Sequence, residues 1–424
     1  MGVVSCRRMS RTDSNPTRHK RQLEWMKTSR PAVLMVTGAY YPELSGAGLQ
    51  CRALVQRLRG MVDFTVLTTT ADRSLPAADV QDGVVVQRIF IDPSSWWSRA
   101  SAIGRFTLAF TRVWRRSSIV HLHGFSQKSI LLIWLALITR KQIVIKLTSI
   151  GHDDPVSIKG RGKFSYWCFT RAAVFFAVSP RFRDLHEAAG LPLSQLRVIP
   201  NGVDLERFCS SANDDHNTLR QELSIPKRSP IVLFVGFFSQ EKRPHLLFEA
   251  WANVERSTAP ETTLLLVGAT KSSYYEVDET LAKGIRNQAI DLELGDQIRF
   301  IESTDEIERF YRAADVFVLP SVREGLPNVL LEAMASGLAC IATRLTNVTD
   351  SVIEDGRNGL LVPPDDVPAL EHAMEQLLLS DSVLTARLGH EARRTTVARY
   401  GIDQVAESYL TAYRELLDVH ECAV

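Results

Sequence analysis

The 424 residues predict an α/β protein of two units, each a parallel sheet wrapped by helices. Short apolar runs rich in Val, Ile and Leu recur with helical patterns between them, and this alternation stops near residue 200 and then begins again. Charge repeats the division. Residues 1–200 carry 29 Lys and Arg against 12 Asp and Glu, whereas residues 201–424 carry 21 against 36. The net charge of +2 thus hides a basic half suited to an anionic surface or acceptor and an acidic half that is not.

Residues 1–30 are polar, basic and without periodicity, and read as a disordered extension. Residues 31–205 form the first unit, with strands expected at Ala32–Thr37, Phe64–Thr68, Val84–Ile91, Ile119–Leu122, Ile143–Leu147 and Val174–Val178. Gly46-Ala47-Gly48 reads as a loop that lets backbone approach a ligand, ahead of a helix from about Leu49 to Arg59. As a dinucleotide fingerprint it is weak, because Cys51 takes the third glycine position. Residues 206–400 form the second unit, on strands Ile231–Val235, Thr263–Val267, Ile298–Ile301, Val316–Leu319 and Ala339–Ala342; the polar stretch 209–230 is the crossing. Residues 401–424 hold a helix from about Asp403 to Leu417 that packs back toward the first unit through Val405, Tyr409 and Tyr413.

Several function classes are disfavoured. The six cysteines are scattered, with no CxxC pair and no His cluster at metal spacing, which suits a reduced, cytoplasmic compartment. The longest apolar run, Ile130 to Ile138, is far short of the ~20 residues of a membrane span. The positive charge lacks a nucleic-acid-binding module, so no nucleic-acid partner is expected.

The chemistry concentrates after the strand Val316–Leu319, in Ser-Val-Arg-Glu-Gly-Leu-Pro-Asn-Val-Leu-Leu-Glu-Ala-Met-Ala-Ser-Gly, residues 321–337. Pro327 suits a first helical position, and Val329, Leu330, Ala333 and Met334 form a stripe that can pack on a sheet. Asn328 and Glu332, four apart, share the other side, and Glu324 precedes the helix in a loop released by Gly325. Strand, loop, helix start and two acids meet at the carboxyl edge of a sheet, where open α/β folds place ligands. Helix-start amides attract phosphate, and a carboxylate beside them can accept hydrogen bonds from sugar hydroxyls.

Glu324 and Glu332, separated by seven residues within this segment, resemble the signature of retaining glycosyltransferases of family 4 (glycosyl transferases group 1). Softer matches follow in order: Tyr41-Pro42 with Gly46 and Gly48, the strand ending Ile119-Val120-His121-Leu122-His123-Gly124, the segment Ile199 to Asp204, and Asp355 to Pro363. The resemblance implies a GT-B fold, two Rossmann-like domains with parallel sheets facing across a cleft. It implies Glu332 on the ribose hydroxyls of a nucleotide, Glu324 on the donor sugar, His123 over the reacting carbon and Lys242 on the diphosphate. Gly46, Gly48, Leu326, Asn328, Val329 and Arg243 complete the donor-binding candidates. The chain departs from the pattern at Phe237, where the family often has Arg, so Arg243 is the candidate replacement cation. No Asp-x-Asp triplet is present, and the expected chemistry needs neither metal nor cofactor. His152-Asp153 fits a cleft lining or a surface turn equally.

The expected function is retaining transfer of a sugar from a nucleotide-diphosphate donor to a glycan or lipid-linked acceptor, in surface polysaccharide or lipid-linked glycan assembly. A sugar-nucleotide epimerase and a catalytically silent nucleotide-sugar-binding protein are the alternatives. Residues 96–116 place Ile103, Phe106, Phe110, Val113 and Trp114 on one helical face flanked by Arg105, Arg112 and Arg116. That pattern fits a helix lying on an anionic membrane at the inner face, or a core helix with a solvated basic side.

Overall fold

The computed structural model describes residues 30–43, 45–92, 94–210, 216–226, 229–258, 261–270, 277–379 and 382–421. The basic extension up to residue 29, Cys6, Cys422, part of the 209–230 crossing and part of the segment after Gly268 lie outside the described residues.

The first sheet contains β1 (Ala32–Val36), β2 (Asp63–Thr70), β3 (Ala78–Gln81), β4 (Val84–Phe90), β5 (Ile119–His123), β6 (Gln142–Leu147), β7 (Val174–Ala177) and β8 (Leu196–Val198). Its order is β3-β4-β2-β1-β5-β6-β7-β8, parallel except for the β3–β4 hairpin at the edge. The second sheet contains β9 (Ile231–Val235), β10 (Thr263–Val267), β11 (Ile298–Ile301), β12 (Val316–Leu319), β13 (Ala339–Thr343) and β14 (Leu360–Val362). It is wholly parallel, in the order β11-β10-β9-β12-β13-β14.

Parallel strands need crossovers, and helices supply them. In the first half these are α1 (Gly46–Leu58), α2 (Trp96–Val113), α3 (Gln127–Ile138), α4 (Pro155–Gly160), α5 (Lys163–Phe169) and α6 (Arg181–Ala188). In the second they are α7 (His216–Glu222), α8 (Pro244–Ser257), α9 (Glu279–Asp291), α10 (Ile307–Ala313), α11 (Asn328–Ala335), α12 (Val367–Leu379), α13 (Ser382–Arg399) and α14 (Ile402–Glu421). Both sheets are covered on both faces, which is why their strands read as continuous apolar runs.

α14 belongs to the second half by sequence and to the first sheet by packing. Val405, Tyr409 and Tyr413 lie in one buried cluster with Val33, Met35 and Leu54. Asp403 on α14 also pairs with Arg57 on α1. The switch points of both sheets lie at the carboxyl ends of β1/β5 and β9/β12, where order reverses and a crevice opens.

Candidate active site

On the second sheet the loop after β12 carries Glu324, and α11 begins one residue later than the sequence pattern places it. Pro327 is the N-cap, with φ −73° and ψ 117°, and Asn328 is the first helical residue. Leu330, Leu331, Ala333 and Met334 are buried, which fixes the rotation of α11 and leaves Glu332 on the opposite side. There the Tyr311 hydroxyl donates to Glu332 Oε2 at 3.0 Å. Burial pushes the Glu332 carboxyl up to about 7, against the pull of the Tyr311 hydrogen bond and the Arg207 charge.

Glu324 accepts from Lys242 Nζ at 2.5 Å, with a side chain only 9% exposed. Lys242 stands in the tight turn between β9 and α8, where its N–H donates to the Ser239 carbonyl at 3.1 Å. Arg243 next to it is left-handed, φ 52°, and points away to Asp365 Oδ1 at 2.8 Å and the Gln240 carbonyl at 2.7 Å. Lys242 therefore meets Glu324 while Arg243 is committed to a partly exposed surface pair.

On the first sheet His123 is the last residue of β5. It is 8% exposed, and neither ring nitrogen has a hydrogen-bond partner among the described residues. Burial, then the neighbouring His121 and Lys146 charges, hold its pKa well below the ordinary 6.5, so the ring is neutral. Beneath it His121 Nδ1 is 2.6 Å from the Tyr413 hydroxyl, and the two imidazole centroids are 4.6 Å apart. His121 is thus tied to α14 and packs under His123.

Gly46 and Gly48 are not loop residues: both lie in the first turn of α1, capped by Ser45. A Cβ on Gly48 would collide with the Ala39 carbonyl oxygen, so glycine there permits close packing of helix on loop. Gly46 contributes its carbonyl, which accepts from Asn328 Nδ2 at 3.1 Å across the lobes.

That bond is one of several joining the halves. Asn201 Nδ2 donates to Asn328 Oδ1 at 2.9 Å and to the Leu326 carbonyl at 3.0 Å. Asn201 is aimed there because the Gln50 amide clamps Gly202 with two hydrogen bonds of 2.8 and 3.0 Å. Arg323 reaches His152 Nε2 at 2.6 Å and also pairs with Glu241, which puts His152 in the cleft lining. Asp153 is buried and shapes the turn by accepting from Thr148 and Ser149.

Gly325 is a glycine for a reason different from loop freedom. A Cβ built on it would fall inside the Thr148 carbonyl oxygen, so the two backbones touch only because that atom is missing. Thr148 Oγ1 in turn lies 3.6 Å from a Cβ built on Gly124, next to His123. The lobes therefore close with the Glu324 loop and the end of β5 on either side of Thr148.

Sequence reasoning missed Asn201, Tyr311 and Lys128. Asn201 stood in the segment Ile199 to Asp204, noted only as a soft family match, and nothing in sequence links Tyr311 to an acid 21 residues later. Lys128 Nζ, held by the Thr37 carbonyl at 3.1 Å, is pushed down to about 8 by burial at the carboxyl edge of β1. A lysine opening an otherwise apolar helix was the available signal.

Residues 215–395 match the family Glycosyl transferases group 1, and residues 44–207 match Glycosyltransferase Family 4. The chain belongs to this family. A D-inositol 3-phosphate glycosyltransferase of Corynebacterium urealyticum is 30% identical over 236 residues, covering 55% of this chain and 54% of its own. The lipopolysaccharide core biosynthesis glycosyltransferase LpsE of Rhizobium meliloti is 31% identical over 45% of this chain and 52% of its own. These matches span about half the length of the curated relatives concerned. Among solved structures, sucrose-phosphate synthase of Thermosynechococcus elongatus superposes with a TM-score of 0.77 at 24% identity, covering 92% of this chain and all of that one. Anabaena HepE in complex with UDP and glucose gives 0.73 at 20% identity, covering 90% and 99%. These likenesses establish the GT-B fold, two Rossmann-like domains across a cleft.

Proposed function

We propose that the protein is a retaining glycosyltransferase that moves a sugar from a nucleoside-diphosphate donor to an acceptor hydroxyl in surface polysaccharide or lipid-linked glycan assembly. The observation that carries this reading is the Lys242–Glu324 pair at the head of α11, across from the unpartnered ring of His123. Breaking the bond between the anomeric carbon and the diphosphate oxygen puts negative charge on the leaving group and positive charge on the carbon. Lys242 and the α11 amides stabilise the first, and Glu324 orients the sugar hydroxyls. The acceptor oxygen bonds to the carbon on the face the diphosphate leaves, and its proton passes to the departing phosphate. His123, neutral and buried, takes up the sugar with its free nitrogens.

The test is a thermal-shift screen of UDP, GDP, ADP and their sugars, followed by incubation of the best donor with and without acceptors, in EDTA. HepE holds UDP and glucose, so uridine diphosphate sugars come first. Nucleoside diphosphate released only with acceptor, undiminished by EDTA, is the expected result. Altered sugar on an intact nucleotide would instead mean epimerisation, and binding alone a silent protein.

Glu332 makes donor binding pH-dependent. Before nucleotide binds, its raised pKa gives stability that is fully present below 4.5 and lost as pH rises through about 7. Ribose hydroxyls donate to the ionised form, so binding expels the proton. Nucleotide affinity is expected to rise about tenfold between about pH 6 and 8, beyond whatever rise Glu332→Gln retains. Calorimetry on both proteins cancels the ligand's own ionisation; identical pH slopes would remove Glu332 from the ribose.

Peripheral contact with an anionic membrane is the second part of the proposal. No helix among the described residues is long and apolar enough to cross a bilayer. The α2 face that the sequence pattern offered to a membrane is a core face, with Phe106, Phe110 and Val113 buried. The contact is proposed instead for the outer side of the layer formed by α2, α3 and α5, which exposes Trp96, Ile103, Trp134, Ile138, Phe164 and Trp167. No acidic residue lies between Asp92 and Asp153. Exposed aromatic residues in a basic field suit an anionic interface. Sedimentation with anionic vesicles is expected, weakened at least fivefold by Trp134→Ser/Trp167→Ser; equal pelleting with neutral vesicles would contradict it.

A further inference from the structure

A groove of about 830 Å³ opens between α2 and the β3–β4 hairpin, apart from the Lys242–Glu324 site. Arg73, Arg105, Arg112, Trp97, Leu108 and Phe90 line it. Its apolar wall is left in water, Trp97 being 69% and Leu108 52% exposed. Its cations are prearranged. Arg105 Nη2 donates to the Ser98 carbonyl at 3.1 Å and Ser101 Oγ at 3.0 Å, while its buried Nε has no partner. The Arg73 guanidinium lies 4.6 Å over the Phe90 ring. Among the described residues none of the three arginines has a carboxylate within 4.0 Å, although the Arg73 charge acts at longer range on Asp92; the neighbouring Arg88, by contrast, is neutralised by Asp79 at 2.7 Å. Among the described residues the groove's one lining carboxylate, Asp72, is turned to the Ser74 N–H at 2.7 Å.

We infer that this groove is a distal acceptor subsite that takes an anionic saccharide, with the acid on the guanidinium groups and a sugar face on Trp97. The inference rests on the glycosyltransferase reading and names the acceptor class for it. Phe90 ends β4 and His123 ends β5, three strand spacings apart along the same edge, or roughly 14 Å. The groove therefore holds a part of the acceptor remote from the reacting hydroxyl. Lys128 stands between the two, at the end of β1, and extends the line of positive charge toward His123.

Calorimetry of the full chain with tetragalacturonate, maltotetraose and a phosphorylated maltotetraose tests this. Both acidic ligands are expected to bind at least tenfold more tightly than maltotetraose, and their ratio tells a carboxylate source from a phosphate. Arg112→Glu, on an exposed position, is expected to weaken acidic binding at least tenfold, and Trp97→Ala to weaken it with the melting temperature unchanged. Equal binding of acidic and neutral ligands, or an unaffected Arg112→Glu, would overturn the subsite. So would loss of anionic-vesicle binding in Arg112→Glu with no saccharide bound by either protein, which would assign the groove to a lipid surface. The thermal shift with nucleoside diphosphate is read in parallel: its absence would sink the transferase reading and leave the saccharide result standing.

Discussion

Lys242→Ala is expected to slow transfer by about 10²–10³-fold, the usual cost of removing one fixed donor aimed at developing negative charge. The residue is held from both ends, by the Ser239 turn at its backbone and by Glu324 at its Nζ. Arg243 cannot substitute where it stands, because its guanidinium is bonded to Asp365 and the Gln240 carbonyl. The loss should fall on kcat in single-turnover measurements, with the melting temperature moved by only a few degrees since the pair is a small part of the lobe. Lys242 and Glu324 touch different parts of the donor but orient each other through their bond, so Lys242→Ala/Glu324→Ala is expected to be slower than either single variant yet by less than the product of the two effects. Multiplying effects would show that the two residues serve separate steps.

Gly325→Ala is expected to cost about 10²-fold in kcat while leaving nucleoside-diphosphate affinity within about twofold. The added methyl has nowhere to go against the Thr148 carbonyl, so the lobes must part. Parting moves Glu324 from the end of β5 and strains the Arg323–His152 and Asn328–Gly46 contacts. Glu332 and Tyr311 both lie on the second lobe and keep their own geometry. A variant with unchanged kcat would mean that chemistry does not need this closed arrangement. A variant that also loses the nucleotide would mean that the nucleotide spans both lobes.

The sheets were legible because doubly covered parallel strands are apolar on both faces, and the two acids because seven residues of spacing survive without any tertiary knowledge. β3 was not anticipated, although Asp82-Gly83 marks its hairpin: both have positive φ, 54° and 79°, as a tight two-residue turn requires. β14 was not anticipated either, since three residues are too short for an apolar run to stand out. The glycines misled most. Gly46, Gly48 and Gly325 invite explanations from backbone freedom, yet what Gly48 and Gly325 provide is absence of a side chain at contacts made by residues distant in sequence. Asn201 was invisible for the same reason, since its role depends on Gln50 turning it toward Leu326 and Asn328. Local chemistry can be read from spacing; approach between lobes cannot.

In the proposed reaction Lys242 and the head of α11 hold the departing diphosphate while Glu332 holds the ribose. A crystal structure of the protein with the nucleoside diphosphate chosen by the thermal-shift screen tests it most directly. The expected result is a phosphate oxygen within hydrogen-bond distance of Lys242 Nζ and a ribose hydroxyl on Glu332. A nucleotide bound elsewhere, with the Lys242–Glu324 pair undisturbed, would contradict it.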